Sequence, residues 1–222
     1  MSDALVAVRG EVVLEVEPEI ATVIVTVESQ DKDRARALAS LDAQHRSLLA
    51  LVSENQAAME SVDSSRVHVS PQFKDERTRG KITGHLARRT VTFRVKDFSV
   101  LGDLLGRAAA DEVRELDGPF WSLRSGSPAI LQARTQAVHD AVHRARAYAA
   151  ALGGTITDVR EIADIGLGGN GNGFGGPVRA ARFTGASMPE PAEFDVTPVA
   201  QTVRAAVEAR FTMTAPDLSI VT

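Results

Sequence analysis

His139 and His143 stand four residues apart, the spacing at which two imidazoles share one face of a helix and can hold one metal ion. The local sequence, His-Asp-Ala-Val-His, lacks the glutamate that follows the first histidine in a zinc-protease helix, and a third ligand would have to come from elsewhere. Gln132, Gln136, His139, His143 and Arg146 also run along one side of the same segment, opposite a row of alanines, so a solvated helix face is the simpler account of the pair. Gly166 to Gly171 spells G-x-G-x-x-G after an extended segment. A phosphate cradle needs a helix N-terminus directly behind it, and Phe174-Gly175-Gly176-Pro177 carries no helical period. Arg77, Arg79, Lys81, Arg88, Arg89 and Arg94 concentrate positive charge in one hairpin. Of these, Arg77, Arg79, Lys81 and Arg88 are the candidates for contact with an acidic partner surface. The competing account is that charge keeps strand edges from pairing promiscuously. His45 falls within an apolar stripe, as a buried ligand or base or as a core histidine with a local hydrogen bond.

Other chemistry is absent from the sequence. There is no cysteine, which removes disulfides, thiolate nucleophiles and Cys-ligated metals. No G-x-S-x-G elbow, Walker A loop or EF-hand loop occurs, and the neighbours Asp111 and Glu112 read as helix-end charge. No catalytic residue and no cofactor is assigned. A net charge of -4 argues against a nucleic-acid binder. A chain of 222 residues, 44% hydrophobic and 24% charged, is long enough for a proper core and ordinary enough to be globular. No window approaches the ~18 apolar residues of a spanning helix. The opening MSDALVAVRGEV lacks a basic region followed by an apolar run, so the chain as it stands reads as cytoplasmic, or as exported with its leader trimmed.

The elements that must position these residues are α+β in type. From Val6 to Glu28 two β-branched, alternating runs flank Glu17-Pro18-Glu19, and the expectation is a long hairpin on which the rest packs. Asp31 to Gln56 has helical spacing, with Asp31 or Asp33 as cap. Val67 to Lys74 and Ile82 to Val95 form a second hairpin, with a change of face expected near Ala87 to Arg89. A helix from Asp97 to Val113 and a strand from Leu116 to Leu123 complete a β-α-β-β-α-β order of the ferredoxin-like kind. Ser127-Pro128 starts a third helix that runs to Leu152 along the seam Ala133, Ala137, Ala141, Ala145, Ala149, and strands follow at 156–165 and 199–213. Residues 166–194 are a Gly/Pro-rich excursion, with seven glycines among the eleven residues from Gly166 to Gly176. The chain is thus expected to be one domain over 1–222, made of a 6–125 part and a 126–213 part.

Several of these stretches resemble one family. Val8-Arg9-Gly10-Glu11 and Val16-Glu17-Pro18-Glu19-Ile20-Ala21 are similar to the amino-terminal signature of SIMPL-domain proteins. Ser70-Pro71-Gln72-Phe73 with Ile82-Thr83-Gly84-His85 resembles their central hairpin, and the alanine-spaced third helix and the glycine-rich excursion fit as well. Glu19 stands where Asp is usual, His85 where Tyr is, Asp111-Glu112 where glycine is typical, and Val199 follows Pro198 where Gly is common. The resemblance implies an α+β domain, self-association into a homo-oligomer, and links to stress defence and the cell envelope. It supplies no catalytic residues. The leading expectation is therefore a non-enzymatic, self-associating interaction module. The alternative is a small-molecule or metal-binding protein, or a weak hydrolase, using His139 and His143 or a pocket under the 166–194 loop.

Overall fold

Along residues 20–31 the odd positions Ala21, Val23, Val25 and Val27 are fully buried, and the even positions between them are mostly half-buried. That is the signature of a central strand, packed against a helical layer on one side and flanked by other strands. The computed structural model describes residues 4–74, 80–110, 113–166, 196–217 and 219. Among them the elements are β1 (Ala4–Val16), β2 (Ile20–Asp31), α1 (Arg34–Glu54), β3 (Met59–Ser64), β4 (His68–Phe73), β5 (Ile82–Val95), α2 (Leu101–Ala110), β6 (Glu115–Ser122), α3 (Pro128–Ala151), β7 (Ile156–Asp164) and β8 (Gln201–Met213). The class is α+β, with two antiparallel sheets.

One unit comprises Glu17–Arg124 with Ser187–Val199. Its sheet runs β3-β5-β2-β6, with β4 pairing the other half of β5, and each pairing is antiparallel. This is the strand order of a ferredoxin-like unit, as the β-α-β-β-α-β reading expects. The helices supply Leu41, Leu48, Leu101, Leu104 and Leu105 to a core completed by Val91, Phe93 and Val95 of β5. Asp33 starts α1 by accepting hydrogen bonds from the N–H groups of Ala35 and Arg36, at 2.7 and 3.3 Å. Those bonds hold its carboxyl below the usual carboxylate range. Trp121 of β6 packs edge-on against Phe98, their ring centroids 4.8 Å apart. Glu19 accepts the N–H of Arg124 at 3.0 Å, tying the start of β2 to the chain just past β6.

The other unit comprises Met1–Val16, Ser125–Ala186 and Ala200–Thr222. Its sheet has the order β1-β8-β7, and α3 lies over β1 and β8 while barely touching β7. Ser127 caps α3, Pro128 fills its first turn, and the five seam alanines from Ala133 to Ala149 are buried against the sheet.

Two expectations are corrected here. The opening hairpin does not form: β1 pairs with β8 over its full length, from Ala4 opposite Met213 to Val16 opposite Gln201, and β2 pairs with β5 and β6. Alternation reports which face of a strand is dry, and carries no information about its neighbour. The change of face near Ala87–Arg89 is also absent. The β2–β5 register is unbroken from Ala21 opposite Val95 to Asp31 opposite His85, and Ala87 shares the buried face with Val91 and Phe93. Ile82 and Leu86 are simply apolar residues on the wetter side. The second hairpin does form, as β4 with β5. Its charged tip at 75–79, Asp111-Glu112 and almost all of the 166–194 excursion, with its G-x-G-x-x-G, lie outside the described residues.

The close approach of α3 to its sheet depends on Gly10. A Cβ placed there would fall 2.0 Å from the carbonyl oxygen of Ala137 and 2.6 Å from the amide nitrogen of Ala141. Helix backbone cannot yield as a side-chain tip can. Gly10→Val is expected to lower stability by about 3 kcal/mol, the upper end for overpacking. Gly106→Ala, in α2 with nothing within 4 Å of the added atom, is expected to raise it by roughly 0.5–1 kcal/mol. Urea unfolding followed by far-UV circular dichroism compares the two, and equal midpoints would contradict the contact.

Candidate functional site

In α1 the inward stripe is Ala37, Leu41, His45, Leu48, Leu51 and Val52, so His45 is delivered to the interface with the sheet, where it is 6% exposed. From β5, Arg89 arrives at the same place because it shares the odd parity of Ala87, Val91 and Phe93. The sheet is interrupted beside it. β3 ends at Ser64 opposite Val91 and β4 begins at His68 opposite Arg88, leaving Ser65-Arg66-Val67 out of both strands. Ser65 repairs the ladder in part: its N–H donates to the Thr90 carbonyl at 2.8 Å and its hydroxyl accepts from the Thr90 N–H at 2.9 Å. The gap that remains is a cavity of about 220 Å³ lined by Leu38, Leu41, Asp42, His45, Val67 and Arg89.

Hydrogen bonds fix the chemical state of the histidine. Arg89 Nη1 lies 3.4 Å from His45 Nδ1, and a guanidinium can only donate, so Nδ1 is the acceptor. The ring proton then sits on Nε2, which is 3.0 Å from Ser64 Oγ and donates to it. Burial first, and the neighbouring Arg89 charge second, push the imidazole below its ordinary value of 6.5, against a smaller opposing pull from Asp42. Ser64 and His45 therefore have the proximity of a nucleophile and its base with the proton placed the wrong way round. A catalytic triad puts a carboxylate behind the histidine to stabilise the imidazolium, and here an arginine stands in that position.

The residues singled out from sequence fall in separate places. His139 and His143 are both exposed on the outer face of α3, and among the described residues no group of three His, Cys, Asp or Glu is placed to hold a metal ion. Between them Asp140 has another task. It accepts the N–H of Glu11 on β1 at 2.9 Å, while Arg144, paired with Asp140 at 3.1 Å, donates to the Arg9 carbonyl at 2.9 Å. Arg88 meets Glu28, directly opposite on β2, at 2.7 Å. Lys81 is exposed just before β5, and Arg77 and Arg79 lie outside the described residues. Arg89 was the residue that sequence reasoning grouped with its neighbours as hairpin charge. Its parity with Val91, Phe93 and Val95 was the signal that separates it from them.

Two other hollows are lined by charged residues. One, of about 520 Å³, is lined by Gln30, Asp31, Lys32, Arg36, Thr83 and Gly84. The other, of about 240 Å³ on the outer face of β1-β8-β7, includes Arg210 and Glu161, which pair at 2.9 Å.

Comparison with known proteins gives a family match over residues 6–211, described as SIMPL, protein of unknown function (DUF541). The uncharacterized protein YggE of Escherichia coli (strain K12) is 25% identical over 144 residues, which are 65% of this chain and 58% of that one. The 26 kDa periplasmic immunogenic protein of Brucella abortus (strain S19) is 26% identical over 169 residues, 73% of this chain and 67% of that one. A solved chain from Burkholderia cenocepacia, described as a candidate amidohydrolase/peptidase, aligns at 11% identity with a TM-score of 0.24, over 63% of this chain and 36% of its own. That overlap is too low to carry an argument.

The lowered His45 value makes stability depend on pH with a definite sign. The unfolded chain takes up a proton near pH 6.5 that the folded chain refuses until lower pH, so the His45 contribution is present above 6.5 and is lost as pH falls below it. The melting temperature of the wild type is expected to drop more between pH 7.5 and 5.5 than that of His45→Gln. Parallel curves for the two would show that the imidazole is not held neutral.

Proposed function

The chain belongs to the SIMPL family of proteins of unknown function, and on that premise we propose that it is a non-enzymatic interaction module that associates with copies of itself. The observation that carries this is the uncovered apolar side of β7. Val159 lies opposite Phe211 and Ile162 opposite Ala209, which places both on the face that α3 covers over β1 and β8. The helix stops short of β7, leaving Val159 48% and Ile162 50% exposed. Among the described residues no strand pairs with the far side of β7 either. The edge of β1, by contrast, is capped in its middle by Asp140 and Arg144. One side of the sheet is guarded and the other is open, which is the asymmetry expected of a sheet with one place to dock.

The histidine geometry favours the same reading, since Ser64 and His45 are arranged against nucleophilic catalysis. The Brucella relative is named as periplasmic, and the proposal places this chain outside the cytoplasm with it. Among the described residues no helix is long and apolar enough to cross a membrane. Recovery of the tagged protein with the spheroplast pellet, and none in the periplasmic fraction, would contradict that placement.

Light scattering coupled to size exclusion tests the association. The wild type at micromolar concentration is expected above the monomer mass, and a Val159→Glu, Ile162→Glu double variant at the monomer mass with unchanged circular dichroism. A wild type that is strictly monomeric across that range overturns the proposal.

A further inference from the structure

Among the described residues Arg89 is a cation without an anion. Its Nε donates to the Ser65 carbonyl at 3.0 Å and its Nη1 to His45, both neutral acceptors, and among the described residues no carboxylate lies within ion-pair distance of it. The acid beside it, Asp42, is committed to Arg46 one turn along α1, with Nε and Oδ2 3.2 Å apart. A half-buried guanidinium is normally matched by an opposite charge, because removing it from water is otherwise costly. Here the side chain is held by two neutral partners and lines the cavity beneath α1, whose wall also includes the apolar Leu38, Leu41 and Val67.

We infer that this cavity is a binding site for a small organic monocarboxylate, its carboxylate on the Arg89 guanidinium and its short apolar tail along Leu38, Leu41 and Val67. Three features of the site select that class. The planar guanidinium lines the cavity, and its Nη2 makes no hydrogen bond among the described residues, so a carboxylate can meet it in two-point geometry. Half the lining is hydrocarbon, which a bare inorganic anion would leave unused. The volume of about 220 Å³ lies below the ~300–1,000 Å³ of sites for larger ligands. His45 and Ser65 then act as positioning residues: they fix the guanidinium's direction before the ligand arrives, so little side-chain freedom is lost on binding. The inference is independent of self-association, since it uses neither β7 nor its uncovered residues.

Titration calorimetry of the full chain with hexanoate, hexanol and inorganic phosphate decides it. Hexanoate is expected to bind with a Kd on the order of 1 mM or tighter, and hexanol and phosphate at least about tenfold more weakly. Arg89→Gln is expected to lose hexanoate by at least about tenfold. Leu38→Trp, which fills the cavity from its partly exposed rim and leaves the guanidinium in place, is expected to lose it as well. Equal binding of hexanol would reduce the site to a hydrophobic hollow, and equal binding of phosphate would remove the organic-acid class. No hexanoate binding, or binding unchanged in Leu38→Trp, overturns the inference, including where Arg89→Gln fails to fold.

Discussion

The contact between Gly10 and the backbone of α3 sets the spacing of one whole unit of this protein. With no side chain at Gly10, the helix comes close enough for the carbonyl of Ala137 to sit where a Cβ would be. Alanine at every fourth position of α3 keeps that distance along the helix, and the buried Val207, Ala209 and Phe211 of β8 fill the space beside it. Small residues on both sides exchange hydrophobic bulk for proximity. Proximity in turn lets the side chains of Asp140 and Arg144 reach over the rim of β1 to satisfy its backbone. A residue pair at helical spacing, each member directly following one of the two histidines that attract attention, thus guards the strand edge.

Much of the architecture was readable from residue types. Ser127-Pro128, and Asp31 or Asp33, mark helix starts through the physics of unsatisfied N–H groups, and the structure uses Ser127-Pro128 and Asp33. The ferredoxin-like order followed from counting elements between Ile20 and Leu123. What could not be read was partnership. Val6 to Val16 alternates as cleanly as any strand, yet whether it meets Ile20 to Glu28 or a segment two hundred residues away is decided by helix packing and turn geometry, neither of which leaves a periodic trace. β3 was invisible for a different reason. Met59-Glu60-Ser61-Val62-Asp63-Ser64 has only two apolar residues, and a register shift between Met59 and Ser61 breaks even that pattern.

The candidate site shows the same division. His45 stood out because it interrupts an apolar stripe, and it is indeed buried with hydrogen bonds at both ring nitrogens. Its importance comes from Arg89, which belongs by sequence to a run of surface charge and by parity to the interior. Two adjacent arginines on one strand meet opposite fates: Arg88 faces Glu28 across the sheet, while Arg89 turns under the helix. Strand geometry makes that separation, since neighbouring side chains cannot share a face.

The pairing of β1 with β8 also has a consequence for biosynthesis. Met213, the ladder partner of Ala4, is made roughly two hundred residues after it. At ~5–20 residues per second the nascent strand waits roughly 10–40 s for a neighbour. In that interval Glu17–Arg124, whose strands are nearly contiguous in the chain, can already close its own sheet. β1 is thus made before its ladder partner and is among the last strands to gain its hydrogen bonds, so a holdase that shields a bare extended strand would find its target there.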